Sequence, residues 1–270
     1  MTRRVAWMCA AVVAGSATLA RADTYPRQPG VDAWHYVFRL ELSDASAEIK
    51  GEATADIRFT RDGITRVAFD LGSPANGTGM TVTGVTSDGK AIPFVHQGNV
   101  LTLQLPSPSP AGRHARFTIG YHGAPAGGLR ILPNKHGDWS AFSENWPNHA
   151  RDWLPIIDHP YDKATSEFIV TAPAKYQVVA NGLLLEETDL GDGRRRTHWK
   201  QSLPIASWLN ALGVEQFAVF HAGSFLVPLK SRASGWGTPS SRTASPARRG
   251  DSPAAPCPGS AHCRRPSRGR

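Results

Sequence analysis

Cysteine is absent from the central part of this 270-residue chain. Cys9 lies near the N-terminus and Cys257 and Cys263 lie near the C-terminus, whereas residues 23–230 contain none. A disulfide framework and a cysteine-based zinc site are therefore excluded for that central segment. Cys257 and Cys263 together with His262 offer only three ligands, so we do not predict a metal site there either.

The motifs of common hydrolytic centres are also missing. No pair among the ten histidines has the H-E-x-x-H spacing, in which two histidines on one helix face bind Zn²⁺ and the glutamate activates water. The sequence contains no G-x-S-x-G nucleophile motif and no phosphate-binding glycine loop. We therefore predict no catalytic residue and no metal-ligating residue in this chain.

The first 22 residues have the features of a secretory signal peptide. Two arginines precede an apolar run, Val5–Val13, and Ala20-Arg21-Ala22 provides a small-x-small cleavage pattern. The apolar run is shorter than the roughly 20 residues that a membrane span needs, and no later run is long enough. We expect cleavage of residues 1–22, export of the mature protein to the periplasm or the extracellular space, and no membrane span after cleavage.

The last 40 residues, 231–270, contain no Leu, Ile, Val, Phe or Met, but they hold eight arginines and six prolines. Such a composition cannot bury enough apolar surface to offset chain entropy, so we predict a disordered basic tail. The net charge of the chain is +8, of which the tail contributes +7 and residues 1–22 contribute +3, so that −2 remains for residues 23–230. The central segment is therefore not basic, and we predict no nucleic-acid partner.

Three interpretations of this tail stay open. A nucleic-acid-binding tail is disfavoured because Trp236 is its single aromatic residue and offers no stacking platform. A solvated, non-specific basic tail is the second. We favour the third, an out-of-frame reading from near Lys230 onward, because Arg, Pro, Ala, Gly and Ser are the residues that a GC-rich gene yields in the wrong frame.

The central segment alternates apolar with polar or small residues. Such runs cover Trp34–Leu42, Ile49–Phe59, Val67–Leu71, Leu101–Leu105 and Phe117–Tyr121. Because neighbouring side chains of a strand face opposite ways, each run predicts a strand with one buried face, which in the first run includes Trp34. Asp88-Gly89 and Asp192-Gly193 are typical of tight hairpin turns. We predict an all-β fold, a large antiparallel sandwich or saddle-shaped pair of sheets, with a short helical turn within Ile205–Leu212 before a last strand, Gln216–Phe220.

Four stretches carry a resemblance to a known family. Pro29–Phe59 resembles the first hairpin of the aminopeptidase N family of zinc metallopeptidases, in which an x-H-Y-x-L-x-L strand precedes a G-x-x-x-x-x-F strand. Val67–Leu71 and Gly127-Gly128-Leu129 resemble the strand and the glycine-rich segment that follow. Trp146–Gly182 is similar to the family's E-P-x-x-A-R-x-W-x-P-C-x-D-E-P-x-x-K-A stretch and the strand and turn after it. The matching residues of that stretch are Pro147, Ala150, Arg151, Trp153, Pro155, Asp158, Pro160, Lys163 and Ala164.

The resemblance covers roughly residues 27–230 and implies the saddle-shaped N-terminal β domain of an exported aminopeptidase. In the intact family member this domain packs against a zinc catalytic domain and forms one wall of the peptide-substrate cleft. Zinc and the peptide substrate thus belong to the full-length protein, and we expect the present chain to be inactive alone. The alternative is a stand-alone β-sandwich module that binds peptides or proteins, which an exposed aromatic patch away from residues 144–160 would favour.

Three positions depart from the family pattern. The family's Cys is Ile156, and the Glu of its D-E-P is His159. The Glu or Gln that helps to hold the free N-terminus of a substrate falls on Trp146. We expect Trp146 either to pack at the loop or to line a modified pocket, and Glu144 is the alternative acidic group, so these two residues are the substrate-binding candidates.

The remaining motif residues are expected to be structural. Arg151 and Asp158 have opposite charges and lie on either side of Pro155, so we predict a partly buried ion pair that shapes the loop. Pro155 and Pro160 fix the path of the backbone, because proline sets φ and lacks a hydrogen-bond donor. Trp153 is predicted to lie in the core.

Overall fold

The computed structural model describes residues 27–218. The predicted signal peptide, residues 1–22, and the predicted tail, residues 231–270, lie outside the described residues. Within the described range the chain forms fifteen strands and two 3-10 turns. None of its helical segments is both long and apolar enough to cross a membrane.

The strands follow one another along the whole described range. They are β1 (Val31–Glu41), β2 (Ile49–Phe59), β3 (Ile64–Asp70), β4 (Gly79–Ser87), β5 (Lys90–Ala91), β6 (Phe94–Gln97), β7 (Val100–Ser109), β8 (His114–Ala124), β9 (Leu129–Pro133), β10 (Trp139–Ser143), β11 (Ala164–Pro173), β12 (Gln177–Ala180), β13 (Leu183–Asp189), β14 (Arg194–Ile205) and β15 (Leu212–Glu215). The 3-10 turns are η1 (Ala150–Asp152) and η2 (Ser207–Leu209).

The strands form three sheets, which confirms the predicted all-β fold. The largest has eight strands in the order β13-β14-β11-β1-β2-β8-β4-β5, the second has four in the order β12-β15-β10-β9, and the third has three in the order β3-β7-β6. The prediction of purely antiparallel pairing needs one correction, because β1 and β11 run parallel from His35↔Thr165 to Glu41↔Thr171. Alternation along a strand reports which face is buried and carries no information on strand direction.

The buried face of the large sheet carries the core. Phe38 on β1 packs against Phe168 on β11 with ring centroids 5.3 Å apart, and Phe117 on β8 meets Phe69 of the three-stranded sheet at 6.4 Å. All four rings are fully or almost fully removed from solvent. Burying one such side chain contributes about 1.5–3 kcal/mol. The first contact stabilises the pairing of β1 with β11 within the large sheet, and the second stabilises the packing of the three-stranded sheet on it.

Two local predictions have different outcomes. Asp88 and Gly89 both have positive φ, 47° and 81°, and connect β4 to β5 as the expected tight hairpin. The predicted helical turn is present as η2, but the last described strand is β15, and residues 216–218 are not in a strand. The strand lies earlier because Leu212 and Val214 are the residues with buried side chains.

Trp34 is a further correction, since its side chain is not on the buried face. The register between β1 and β2 shifts between Ala33 and His35, which makes Trp34 the extra residue of a β-bulge. Ala33 and Tyr36 on either side remain buried, whereas the Trp34 side chain is 53% exposed.

Two buried tyrosines of this core differ in their hydrogen bonding and give a matched test. The hydroxyl of Tyr36 accepts the backbone N–H of Ile157 at 3.1 Å, whereas the buried hydroxyl of Tyr121 has no partner among the described residues. We expect Tyr36→Phe to lower the free energy of unfolding by roughly 1–3 kcal/mol, because it leaves a buried N–H unsatisfied. Tyr121→Phe is expected to leave the free energy of unfolding unchanged or to raise it, because the replacement removes a hydroxyl that is buried without a hydrogen bond to any described residue.

Urea unfolding of the two single variants and the wild type measures this difference. Equal losses of stability in both variants would contradict the assignment of hydrogen-bond partners.

Candidate functional site

The candidate site is the long connection between β10 and β11, residues 144–163, which includes η1. Its backbone is joined to other elements at several points. Ile156 exchanges two backbone hydrogen bonds with Asp70 at the end of β3, at 2.8 and 3.2 Å, and Gly72 N–H donates to the Arg151 carbonyl at 2.8 Å. Together with the bond from Ile157 to Tyr36 on β1, these contacts hold the connection between the three-stranded and eight-stranded sheets.

Trp153 lies at the centre of this connection and is fully buried, as predicted. Its ring stacks on Phe168 of β11, with centroids 6.1 Å apart and planes within 20°. Its indole N–H donates to the side-chain oxygen of Asn145 at 2.9 Å, so the polar atom of the buried ring is satisfied.

The predicted ion pair between Arg151 and Asp158 is present and more buried than expected. Arg151 Nε lies 3.2 Å from Asp158 Oδ2, and the side chains are 14% and 0% exposed. Asp70 is a third member, because its Oδ1 lies 3.5 Å from Arg151 Nη1 and its Oδ2 accepts the Asp158 N–H at 2.9 Å. Burial raises the pKa of the Asp70 carboxyl. One guanidinium therefore serves two carboxylates in a site largely removed from water.

A chain of polar side chains extends from this ion pair to the exposed end of the loop. The Ser207 hydroxyl donates to Asp158 Oδ1 at 2.6 Å, and Asn210 Nδ2 donates to the Ser207 carbonyl at 3.0 Å. Asn145 Nδ2 in turn donates to the Asn210 carbonyl at 2.6 Å. Sequence reasoning missed Ser207, Asn210 and Asn145, because each is an isolated polar residue without a motif. These hydrogen bonds connect η2 to the loop that carries both substrate-binding candidates.

Glu144 and Trp146, the two candidates, lie on either side of the buried Asn145 and both face outward. Trp146 is 62% exposed, and its ring meets that of Trp208 edge-on at 5.0 Å. The Glu144 carboxylate accepts the backbone N–H of Trp146 at 3.1 Å. The structure thus brings an exposed indole and a carboxylate together at one loop.

The glycine pair predicted from the resemblance lies against this loop. A β-carbon at Gly128, whose φ is +69°, would collide with the His149 carbonyl and approach the Trp153 ring within 2.8 Å. The Gly128 carbonyl also accepts the Glu144 N–H at 2.6 Å. Only glycine fits this position, because both its φ and the close approach of the loop backbone exclude a side chain.

Over residues 27–218, no group of three His, Cys, Asp or Glu side chains is arranged to hold a metal ion. The histidines nearest the loop have other partners: His149 Nδ1 lies 2.7 Å from Asp152 Oδ2, and His159 Nδ1 accepts the Tyr161 N–H at 3.1 Å. The described side chains therefore do not form a zinc centre.

The fold and the loop together define an N-terminal β domain of the zinc metallopeptidase type. The chain matches the Peptidase M1 N-terminal domain over residues 33–209, and it belongs to that family. This confirms the resemblance seen in the sequence.

The relatives extend well beyond the matched domain. Human glutamyl aminopeptidase is 31% identical over 75 residues, which are 28% of this chain and 8% of that protein. Subunit 2 of transcription initiation factor TFIID from Gallus gallus is 28% identical over 113 residues, which are 39% of this chain and 9% of that protein. An M1 zinc metallopeptidase of Deinococcus radiodurans superimposes with a TM-score of 0.61 and 26% identity, over 70% of this chain and 43% of that one. The chain therefore spans less than half the length of these relatives.

Removal of the Arg151 guanidinium is expected to be costly. Arg151→Met leaves Asp70 and Asp158 close together without a cation, and we expect the free energy of unfolding to fall by about 3–5 kcal/mol. Arg39→Met is the matched control, because Arg39 pairs with Glu52 at 3.4 Å on the surface, where about half of each side chain is exposed. That control should cost less than about 1 kcal/mol. Chemical denaturation measures both, and similar losses in the two variants would contradict a structural role for the buried pair.

Asp162, at the end of the connection, gives a pH-dependent prediction. Burial raises the pKa of its carboxyl to about 7, although the Ala33 N–H bonded to it acts in the opposite direction. Between the unfolded value of about 4 and 7 the folded state keeps a proton that the unfolded state releases, so this group makes stability fall as the pH rises. Asp162→Asn keeps an acceptor for Ala33 and removes the ionisation.

We therefore expect Asp162→Asn to be more stable than the wild type at pH 8, by on the order of 2 kcal/mol, and nearly equal to it at pH 4. Thermal or urea unfolding of both proteins at the two pH values measures this difference. A stability difference that is independent of pH would show that Asp162 titrates normally.

Proposed function

We propose that this chain is the N-terminal domain of an exported M1 metallo-aminopeptidase that packs against a zinc catalytic domain and forms one wall of its substrate cleft. The observation that carries the proposal is the exposed Trp146, held beside Trp208 and Glu144 on a loop that a buried ion pair fixes. This is the position at which the resemblance places recognition of a substrate's N-terminus. Export rests on the signal-like residues 1–22.

The chemistry of the loop supports a modified form of peptide recognition. The indole of Trp146 offers a flat apolar surface where the resemblance places an acceptor for the α-ammonium group of a substrate. The Glu144 carboxylate, which bonds to the Trp146 N–H, is the acceptor that we propose instead. Among the solved relatives, a Deinococcus radiodurans M1 mutant is described with a bound Tyr-Ser-Ala substrate; its chain is 25% identical to this one and superimposes with a TM-score of 0.60, over 69% of this chain and 42% of that one. We infer a peptide substrate for the full-length protein.

Apolar side chains on the surface support packing against a further domain. Leu183, Leu184 and Leu185 are exposed at the start of β13, an edge strand of the large sheet, and Leu203 on β14 is exposed as well. Burial of such a surface is favourable, and exposed apolar patches mark interaction sites. We propose that the catalytic domain covers this surface, since more than half of the solved Deinococcus radiodurans relative lies beyond the matched part.

A second candidate function is a protein-binding module without peptidase activity. The match to a transcription-factor subunit favours it, because the same domain family then occurs in a protein that is not named as a peptidase.

Activity and association of the 270-residue chain test the proposal. We expect no hydrolysis of aminoacyl p-nitroanilides with added Zn²⁺, because the described residues provide no metal-ligand set. We also expect the chain to bind a hydrophobic dye and to self-associate in sedimentation velocity, because the leucines of β13 and β14 are exposed. Leu184→Ser with Leu203→Ser should reduce both signals.

The matched control is Val95→Ser, which replaces an exposed apolar side chain on the three-stranded sheet and should leave both signals unchanged. Chelator-sensitive hydrolysis by the purified chain would overturn the assignment of catalysis to another domain. A monodisperse chain that does not bind the dye would favour the binding module.

A further inference from the structure

Trp34 marks a second surface, which lies on the face of the large sheet that points away from the core. The bulge in β1 places both Trp34 and His35 on the same side as Asp56 of β2, whereas the neighbouring Ile57 points into the core. The side chain of Thr165 on β11 holds the bulge, because its hydroxyl donates to the Trp34 carbonyl at 3.2 Å and lies 2.7 Å from His35 Nδ1. The outward direction of the indole is therefore built into the sheet.

Neighbouring side chains fix the indole and cover only part of it. The Arg58 guanidinium lies over the ring, 5.1 Å from its centroid, and the His114 ring meets it edge-on at 5.7 Å. Arg58 is itself held by Asp32, which accepts hydrogen bonds from its Nε at 3.0 Å and its Nη2 at 2.6 Å. About half of the Trp34 side chain stays open to solvent. A rigid aromatic surface of this kind costs little conformational entropy when a ligand stacks on it.

An open crevice of about 510 Å³ lies on the same face, beside His114. Its lining includes Asp56, Asp88, His114 and Arg116, so that His114 touches both the crevice and Trp34. The lining holds two carboxylates and one guanidinium, and Arg116 lies 3.9 Å from Asp56. Arg113, which is not part of the lining, lies 3.6 Å from Asp88, so each carboxylate has a cation nearby. These distances are long for ion pairs, so the carboxylates and guanidinium groups keep hydrogen-bonding capacity for a ligand.

We propose that Trp34 and the adjoining crevice bind a neutral saccharide unit. The apolar face of a sugar ring can pack on the exposed part of the indole, and its hydroxyl groups can both donate to the Asp56 and Asp88 carboxylates and accept from Arg116. Because each carboxylate has a cation nearby, the site disfavours strongly anionic or cationic ligands. The site is on the opposite face of the sheet from the Trp146 loop, so this inference does not depend on the proposed peptidase role.

Calorimetric titration of the full chain with maltohexaose, cellohexaose and chitohexaose tests the proposal, with chondroitin sulfate as the charged probe. We expect at least one neutral hexasaccharide to bind, and Trp34→Ala to weaken that binding by about tenfold or more. Asp56→Asn should weaken it too, which covers the case in which the tryptophan variant folds poorly. Trp146→Ala is the matched control, since it removes an equally exposed indole elsewhere and should leave the affinity unchanged.

The proposal is overturned if none of the three neutral hexasaccharides binds, if binding is the same in Trp34→Ala, or if only the sulfated polymer binds. Loss of affinity in Trp146→Ala instead of Trp34→Ala would place saccharide binding at the other loop and would likewise overturn it.

Discussion

The buried pair between Arg151 and Asp158 is the interaction on which the arrangement of this domain depends. A fully desolvated carboxylate is tolerated only when its oxygens are paired and hydrogen-bonded. Asp158 meets this requirement with donors from two separate segments, Arg151 within the same connection and Ser207 in η2. Because these donors must all converge, the charge determines where the loop and η2 lie, and the apolar packing of Trp153 completes the arrangement.

The outward display of the candidate residues follows from this anchoring. Asn145 points inward, where it bonds to Trp153 and Asn210, and the two residues beside it, Glu144 and Trp146, point outward. An exposed tryptophan on a mobile loop would present no defined surface. Here the loop is bonded to three elements, so that the indole beside Trp208 has a defined position.

Part of this arrangement could be predicted and part could not. The buried strands, the hairpin at Asp88-Gly89 and the Arg151–Asp158 pair were predicted, because period-two alternation and complementary charges seven residues apart are local signals. The parallel pairing of β1 with β11 was not, since the two strands are more than a hundred residues apart and alternation is blind to direction. The role of Asp70 was also missed, because its partners are 81 and 88 residues away.

Trp34 shows the limit of the sequence most clearly. By itself, the sequence determined an all-β domain with an apolar core, a family-specific loop, and Glu144 and Trp146 as the residues to examine. Only the tertiary structure decided that Trp34 leaves the core, because a one-residue bulge changes which face a side chain occupies and depends on how Thr165 of β11 meets β1. The face of the sheet on which a side chain lies depends on how the strands pair, and strands pair only when distant segments of the chain meet.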